Sequence, residues 1–401
     1  MSERSTSIVV AAVEGGGTSF VVAVARISLI ISSSSSSSSE PEILHREEID
    51  SSHDTPQRTL QECCDFFRKH KPKDGGGYDA LGIATFGPVG LNKHQKETYG
   101  RILSTSPKKS WRNVDLVTPL VEACQGTKQL AVDIETDVNA PALAEYLLHN
   151  KKASNSSGGV EKVITSVAYV TVGTGIGVGL VVHGKPVHGR MHPEGGHVHV
   201  QQLDNDPFQG YSWGVETSPY NGRGTVEGIA SSVALTERYE QLTQQTNLSR
   251  SCLSELDDTH EIWEHCSNAL ANLCVTLLLT TSVEKIVFGG GIMTRQCLIN
   301  MIQTRTIELL NGYLQLPTHD MSSLITTSSY NENTGLMGAI ILAQRSHELM
   351  VGSGSEQDTT ATKSKSNDGS SSYTMGLIHG ITIGAIALGL SSFALGRRRS
   401  K

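Results

Sequence analysis

The chain has 401 residues, more than one ordinary core holds, so two domains are the default expectation. Its 33 Lys and Arg against 40 Asp and Glu leave a net charge of -7, which excludes the basic face that a nucleic-acid partner requires. The seven cysteines are scattered without a Cys-x-x-Cys pair, so neither a disulfide framework nor a thiolate zinc site is indicated and a reducing compartment fits best.

The first residues carry no secretory signal, because the apolar run 8–13 is short and ends in glycines. Residues 7–25 read as strand, turn, strand, with Glu14, Gly15, Gly16, Gly17 and Thr18 at the tip. Such a tip presents backbone N–H groups and a hydroxyl to a phosphate. Glu14 beside it could hold a magnesium ion through water. The serine homopolymer that follows is too polar to order itself and reads as a disordered insertion over 32–40. Spacing predicts a helix over 60–70 and a short buried strand over 80–86, which ends in the Gly87-Pro88 turn. Another strand, 130–134, leads through Asp137, Asn139 and Pro141 into an alanine-rich helix. Asp137 and Asn139 thus stand at the carboxyl end of a strand, where open α/β sheets place their ligands. A helix cap accounts equally well for Asp137 at this point.

The densest signal lies between residues 170 and 199. Gly173, Gly175, Gly177 and Gly179 remove Cβ at alternate positions, leaving one face of a strand or hairpin bare for a bulky anion. A plain tight hairpin explains the same glycines. Beyond Gly184 and Gly189 come His192, Glu194 and His197, a polar cluster suited to a polyol. Residues 227–239 and 261–281 read as helices, the second apolar on most faces. The strand at 286–288 enters the turn Gly289-Gly290-Gly291, which can lie under a flat adenine or ribose. The last helix of the folded part opens at 333–340, and 352–372 reads as a flexible linker. Residues 376–396 carry no formal charge and have the length to span a bilayer. Arg397, Arg398, Arg399 and Lys401 follow them. This predicts a membrane anchor with the folded part in the cytosol, at the mitochondrial outer membrane or a plastid envelope. Gly376, Gly380 and Gly384 would allow two tails to pair into a homodimer. A buried or amphipathic terminal helix is the alternative.

Taken together, Glu14–Thr18, Ala84–Pro88, Thr105–Asn113, Asp137–Ala140, the glycine run 173–179, His192-Pro-Glu-Gly-Gly-His197 and Gly289–Met293 resemble the ROK family of sugar kinases, in particular its fructokinase branch. The likeness covers residues 7–347 in order. It implies an α/β, two-domain actin/hexokinase-like (ribonuclease H-like) fold closing over ATP, magnesium and a hexose. The expected parts are a small N-terminal domain (1–140), a large C-terminal domain (141–347), a linker (348–374), the transmembrane tail (375–396) and a basic end (397–401). On the resemblance, Gly15, Gly16, Gly17 and Thr18 form a first phosphate loop, Thr174, Gly175 and Gly177 a second, and Gly289, Gly290 and Gly291 border the adenosine. Asp137 matches the general base, and Asn139, Glu194, His197 and Glu227 match sugar-binding positions.

Two departures stand out. Ser19 occupies the place where the family commonly has lysine. The family's structural zinc is held by the histidine matching His197 and a downstream triplet, whose places Ser218, Asn221 and Gly224 occupy here, so no structural zinc is expected. A metal held by His192, His197 and His199 is the competing possibility. Other readings are a glucokinase or mannokinase specificity and a catalytically weak, membrane-tethered sugar sensor. A DNA-binding repressor is disfavoured, since the first loop starts too early for a helix-turn-helix to precede it.

Overall fold

The computed structural model describes residues 4–31, 36–38, 40–51, 55–155, 162–214, 221–317 and 320–361. The long amino-terminal hairpin is β1 (Arg4–Gly15) and β2 (Ser19–Ile31), followed by β3 (Ser36–Ser38) and β4 (Glu42–Asp50). Next come α1 (Pro56–Lys69), β5 (Ala80–Thr85), α2 (Val117–Cys124) and β6 (Ala131–Thr136). These strands form one sheet in the order β3-β2-β1-β5-β6, with β4 also paired to β2. The serine tract is therefore not wholly an unstructured insertion: residues 36–38 pair antiparallel with 29–31. Backbone hydrogen bonding to an exposed strand edge needs no apolar side chains, and composition could not foresee it.

A second sheet, ordered β11-β10-β7-β8-β9, is built later in the chain. After α3 (Asn139–Asn155) its strands are β7 (Ser166–Val172), β8 (Ile176–Val182) and β9 (Lys185–Pro186). Then follow α4 (Val226–Ala230), α5 (Ser232–Thr243), α6 (Cys252–Glu255), α7 (Ile262–Thr281) and β10 (Ile286–Gly289). The last elements are α8 (Gln296–Leu310), β11 (Ile325–Thr327) and α9 (Thr334–Ala361). The helix expected over 227–239 is two helices, because the Ser231 hydroxyl caps a new start by accepting from the Ala234 N–H at 3.2 Å.

Strand alternation sorts the core into layers. On one face of the first sheet, Ala11, Val13, Val22 and Val24 pack with α1 and α2. On the other, Val10, Ala12, Ala23 and Ala25 meet α3 and α9, which also cover Val167, Tyr169, Val181 and Val287 of the second sheet. The far face of that sheet, with Val170, Val172, Ile286 and Phe288, is buried under α4, α5, α7 and α8. The two sheets thus share a helical middle layer. Gly82 lets the α9 backbone at Ala339 approach β5 with no room for a Cβ. The final helix therefore returns to the amino-terminal sheet, and a cut at residue 140 divides this middle layer.

The two-domain α/β expectation holds, but the membrane-crossing tail is corrected. Among the described residues no helix is long and apolar enough to cross a membrane. The expected span, 376–396, lies outside the described residues. In its composition, Gly376, Gly380, Gly384, Gly389 and His379 dilute its hydrophobicity. Membrane anchoring, the organelle surfaces drawn from it and the tail-paired homodimer are accordingly set aside. Residues 352–361, at the start of the expected linker, belong to α9, and the rest of that linker lies outside the described residues.

Candidate active site

Strand register assembles the site. β1, β5 and β6 are parallel, with Gly15 opposite Thr85 and Thr85 opposite Thr136. The turn at 15–18 and Asp137 therefore leave the same edge of the sheet, one on each side of β5. Backbone bonds hold this row, from Phe86 N–H to the Gly15 carbonyl and from Asp137 N–H to the Thr85 carbonyl, each 2.8 Å. The first turn of α3 is capped by Thr136, whose hydroxyl accepts from the Asn139 N–H at 3.0 Å. The sequence left Asp137 open between ligand-facing residue and cap, and Thr136 takes the capping position. Burial raises the Asp137 carboxyl to about 6, with the Lys108 ammonium opposing the rise.

Further carboxylates surround it. Glu14 packs where Gly335 has no side chain, at the start of α9, and accepts from the Leu336 N–H. Burial, and then the Asp137 charge, push Glu14 up to about 7. Burial also takes Glu194 to about 7, with Asp137 and Glu227 adding to the rise. Glu227 lies in the first turn of α4 and accepts from the Ile176 N–H at 2.8 Å. Glu194 stands 3.4 Å from His192 and 3.8 Å from His197. His192 in turn accepts from the Val89 N–H at 3.4 Å, tying this loop to the cis Gly87-Pro88 turn after β5. Asp137, Glu194, His197 and Glu227 are thereby brought together. Asn139 is not among them. It is fully buried, its amide donating to Glu135 and accepting from Leu180 N–H, so it bolts α3 to β6 and β8.

The glycine turns lie on both sheets. β7 runs parallel to β10 with Thr171 opposite Gly289, which sets the turns at 173–175 and 289–291 side by side. Gly290 has φ +89, and a Cβ there would meet the Val172 backbone. The Ser232 N–H at the start of α5 donates to the Gly173 carbonyl at 2.8 Å. Gly17, Gly173 and Gly291 each face open space among the described residues, one in each turn. The bare strand face expected of the 173–179 run is corrected. A Cβ at Gly177 would lie 2.7 Å from the Val138 side chain, and one at Gly179 would strike the Val138 and Asn139 backbone. These glycines let β8 close on the segment that carries Asp137; in the turn Gly173 stays open, whereas a Cβ at Gly175 would lie 2.5 Å from a Glu227 carboxylate oxygen.

A family model described as ROK family matches residues 10–346. The chain belongs to the ROK family. Similar relatives are the fructokinase of Zymomonas mobilis, 35% identical over 72% of this chain and 85% of that protein, and the fructokinase of Pediococcus pentosaceus, 29% identical over 72% and 86%. Among solved structures, a ROK hexokinase from Thermus thermophilus superposes with a TM-score of 0.59 over 87% of this chain and all of that one. Sequence identity there is 19%, so the likeness is one of fold.

The ROK resemblance raised the question of a structural zinc; of the three downstream positions, Asn221 and Gly224 lie among the described residues, and their side chains are not zinc ligands. The His197 Nδ1 atom is buried without a partner among the described residues, yet Gly224 backs onto His199 with no side chain to offer and Asn221 is engaged by Ser212. Among the described residues no group of three or more His, Cys, Asp or Glu side chains is arranged to hold a metal. His197 itself lies in a short helical turn, Gly195–His197, and does not share a strand face with His199. A different device pins this loop. Asp206 makes two bonds of 2.8 Å to Arg238 of α5 and one contact of 3.1 Å to His265 of α7, its side chain only 1% exposed. Sequence reading missed this trio, whose members are separated by 32 and 27 positions and follow no local spacing. It also gave no role to Arg250, which donates to the Thr174 hydroxyl at 2.5 Å.

Proposed function

We propose that this ROK protein is an ATP-dependent hexose kinase that transfers the γ-phosphoryl group to fructose, giving fructose 6-phosphate and ADP. The fructokinases among its relatives support the sugar, and the placement of Asp137 carries the mechanism. This carboxylate sits at the strand edge beside the turn 15–18 and near Glu194, which in turn neighbours Glu227. A sugar hydroxyl bound there has a base within reach, and a pKa near 6 leaves Asp137 mostly ionised at neutral pH yet basic enough to take the proton. Glu194, His197 and Glu227 offer carboxylate and imidazole groups to neighbouring hydroxyls. The open glycines in the turns 15–18 and 173–175 leave room for phosphate oxygens to meet backbone N–H groups, and the turn 289–291 borders the adenosine.

Magnesium, bound with the nucleotide, supplies neutralising charge to the phosphates. Glu14 would hold it through water. A buried carboxylate pressed upward by Asp137 is a group that a nearby cation relieves, so the residue fits that duty. No structural zinc enters this reading. The test is a coupled ADP-release assay over fructose, glucose, mannose and N-acetylmannosamine, with Asp137→Asn as control. Fructose should give the highest kcat/KM, and the variant should lose about 10²-fold or more in kcat. A preference for glucose or mannose would move the assignment to another hexose, and near-normal turnover of Asp137→Asn would remove Asp137 from the mechanism.

A further inference from the structure

The segment 105–113 lies between β5 and α2 in the chain. It forms a tight turn, Lys109–Trp111, whose Trp111 ring is buried and stacks on Phe20 at 5.0 Å and 14°. Phe86 meets both rings edge-on, at 6.3 Å from Phe20 and 5.4 Å from Trp111. This aromatic trio fixes Lys108, which projects over Phe86 with its ammonium 4.0 Å from the ring centre. Lys108 Nζ donates to the Gly16 carbonyl at 3.2 Å, its one hydrogen bond among the described residues. An ammonium has three N–H donors, so two remain to be used.

Its location follows from the strand register. Phe86 directly follows β5, the middle of the three parallel strands, and Lys108 rests on Phe86. The ammonium is therefore placed over the end of β5, with the glycine turn of β1 on one side and Asp137 after β6 on the other. Asp137 is the charged group that faces it. Burial lowers the Lys108 pKa to about 8, so the side chain is largely protonated at neutral pH despite its apolar bed.

We propose that Lys108 is a catalytic residue of the kinase, whose ammonium contacts the phosphoryl group as it passes from nucleotide to sugar. This rests on the kinase reading above. In the step, the sugar oxygen forms a bond to the γ-phosphorus while the bond from that phosphorus to the bridging oxygen breaks. The electron pair of the broken bond stays on the ADP oxygen, and the hydroxyl proton goes to Asp137. Lys108 keeps its protons throughout and balances the charge spread over the equatorial phosphoryl oxygens, the duty such cations serve in phosphoryl transfer. Its tie to Gly16 keeps the cation at the phosphate turn and away from a closed ion pair with the base.

The experiment compares Lys108→Met, Lys108→Arg and Lys108→Ala with the parent enzyme for kcat, both KM values, fructose affinity by calorimetry and thermal midpoint. Lys108→Met should lose about 10²- to 10³-fold in kcat, the range for removing one charge-stabilising group, with fructose affinity and midpoint little changed. Lys108→Arg should recover at least about tenfold of the loss, since the charge is retained. Ethylammonium added to Lys108→Ala should raise turnover in a saturable way. A kcat for Lys108→Met within about threefold of the parent would overturn the proposal, leaving the lysine as a support for the aromatic trio. So would a loss confined to the KM for fructose, or one that tracks a collapse of the thermal midpoint. If the parent turns over and Asp137→Asn does not while Lys108→Met does, the lysine proposal alone falls.

Discussion

Replacing Gly179 by alanine tests whether close packing, remote from any ligand, sets the position of the base. β8 crosses the start of α3 so closely that a Cβ at 179 would strike the Val138 carbonyl and lie 2.7 Å from the Asn139 nitrogen. Both atoms are backbone, so no side-chain rotation relieves the contact. The Val138 carbonyl oxygen would lie 2.0 Å away, and ordinary non-bonded separations are about 3.5 Å, which requires the two segments to part by roughly 1.5 Å. Overpacking of this kind costs about 1–3 kcal/mol, and two backbone walls place it at the upper end. At roughly 2 °C per kcal/mol, the thermal midpoint should fall by about 6 °C. The same displacement acts two residues from Asp137 and pulls on the bond from Leu180 N–H to Asn139. A misplacement of about 1 Å costs on the order of 10²-fold in rate. The coupled assay should thus show kcat down by that factor. Gly189→Ala is the control, because its missing Cβ faces open space among the described residues. A variant that melts early but turns over normally would refute the idea that β8 positions the base.

The pH profile of kcat/KM should fall below about pH 6, about tenfold per unit, because Asp137 acts as a base only when ionised. A flat profile down to pH 5 would assign the proton to another group. Stability should run the opposite way. Glu14 and Glu194 titrate near 7 when folded against 4.5 as ordinary carboxyls, so the folded chain binds more protons across that window and loses stability as pH rises through it. Glu194→Gln should therefore raise the ligand-free thermal midpoint at pH 7.5 and leave it unchanged at pH 4.5; equal effects at both would discount the burial of its charge. Asp206→Asn leaves the Arg238 guanidinium buried without its anion and should cost about 3–5 kcal/mol. Wild-type protein purified without a metal-affinity tag should contain no stoichiometric zinc by elemental analysis and melt unchanged in strong chelator. One zinc per chain would reverse the account of how this loop is held.

Much of this molecule follows from local rules that any short window of the chain obeys. Glycines after β-branched runs mark the turns at 15–18, 173–175 and 289–291, because backbone torsions there depend on the residues themselves. The continuous apolar runs of β1 and β2 likewise fit strands covered on both faces, and the order of the motifs is enough to suggest the family. Asp137 is visible as a polar residue at a strand end for the same reason.

Other features depend on what the fold brings against a residue from far away. Four alternating glycines look equivalent in the chain, yet only the packing shows that Gly173 is open while Gly177 and Gly179 are filled by Val138 and Asn139. Asp137 and Asn139 are two positions apart, and the helix that starts at Asn139 leaves one toward the site and the other in the core. Lys108 becomes part of the site because three aromatic rings from separate elements seat it over β5. Asp206, Arg238 and His265 find one another through a loop and two helices, in a stretch where sequence suggested only the loss of a zinc. Local backbone preference is written residue by residue, whereas burial, electrostatic company and free space are properties of neighbours, and those neighbours exist only once the chain has folded.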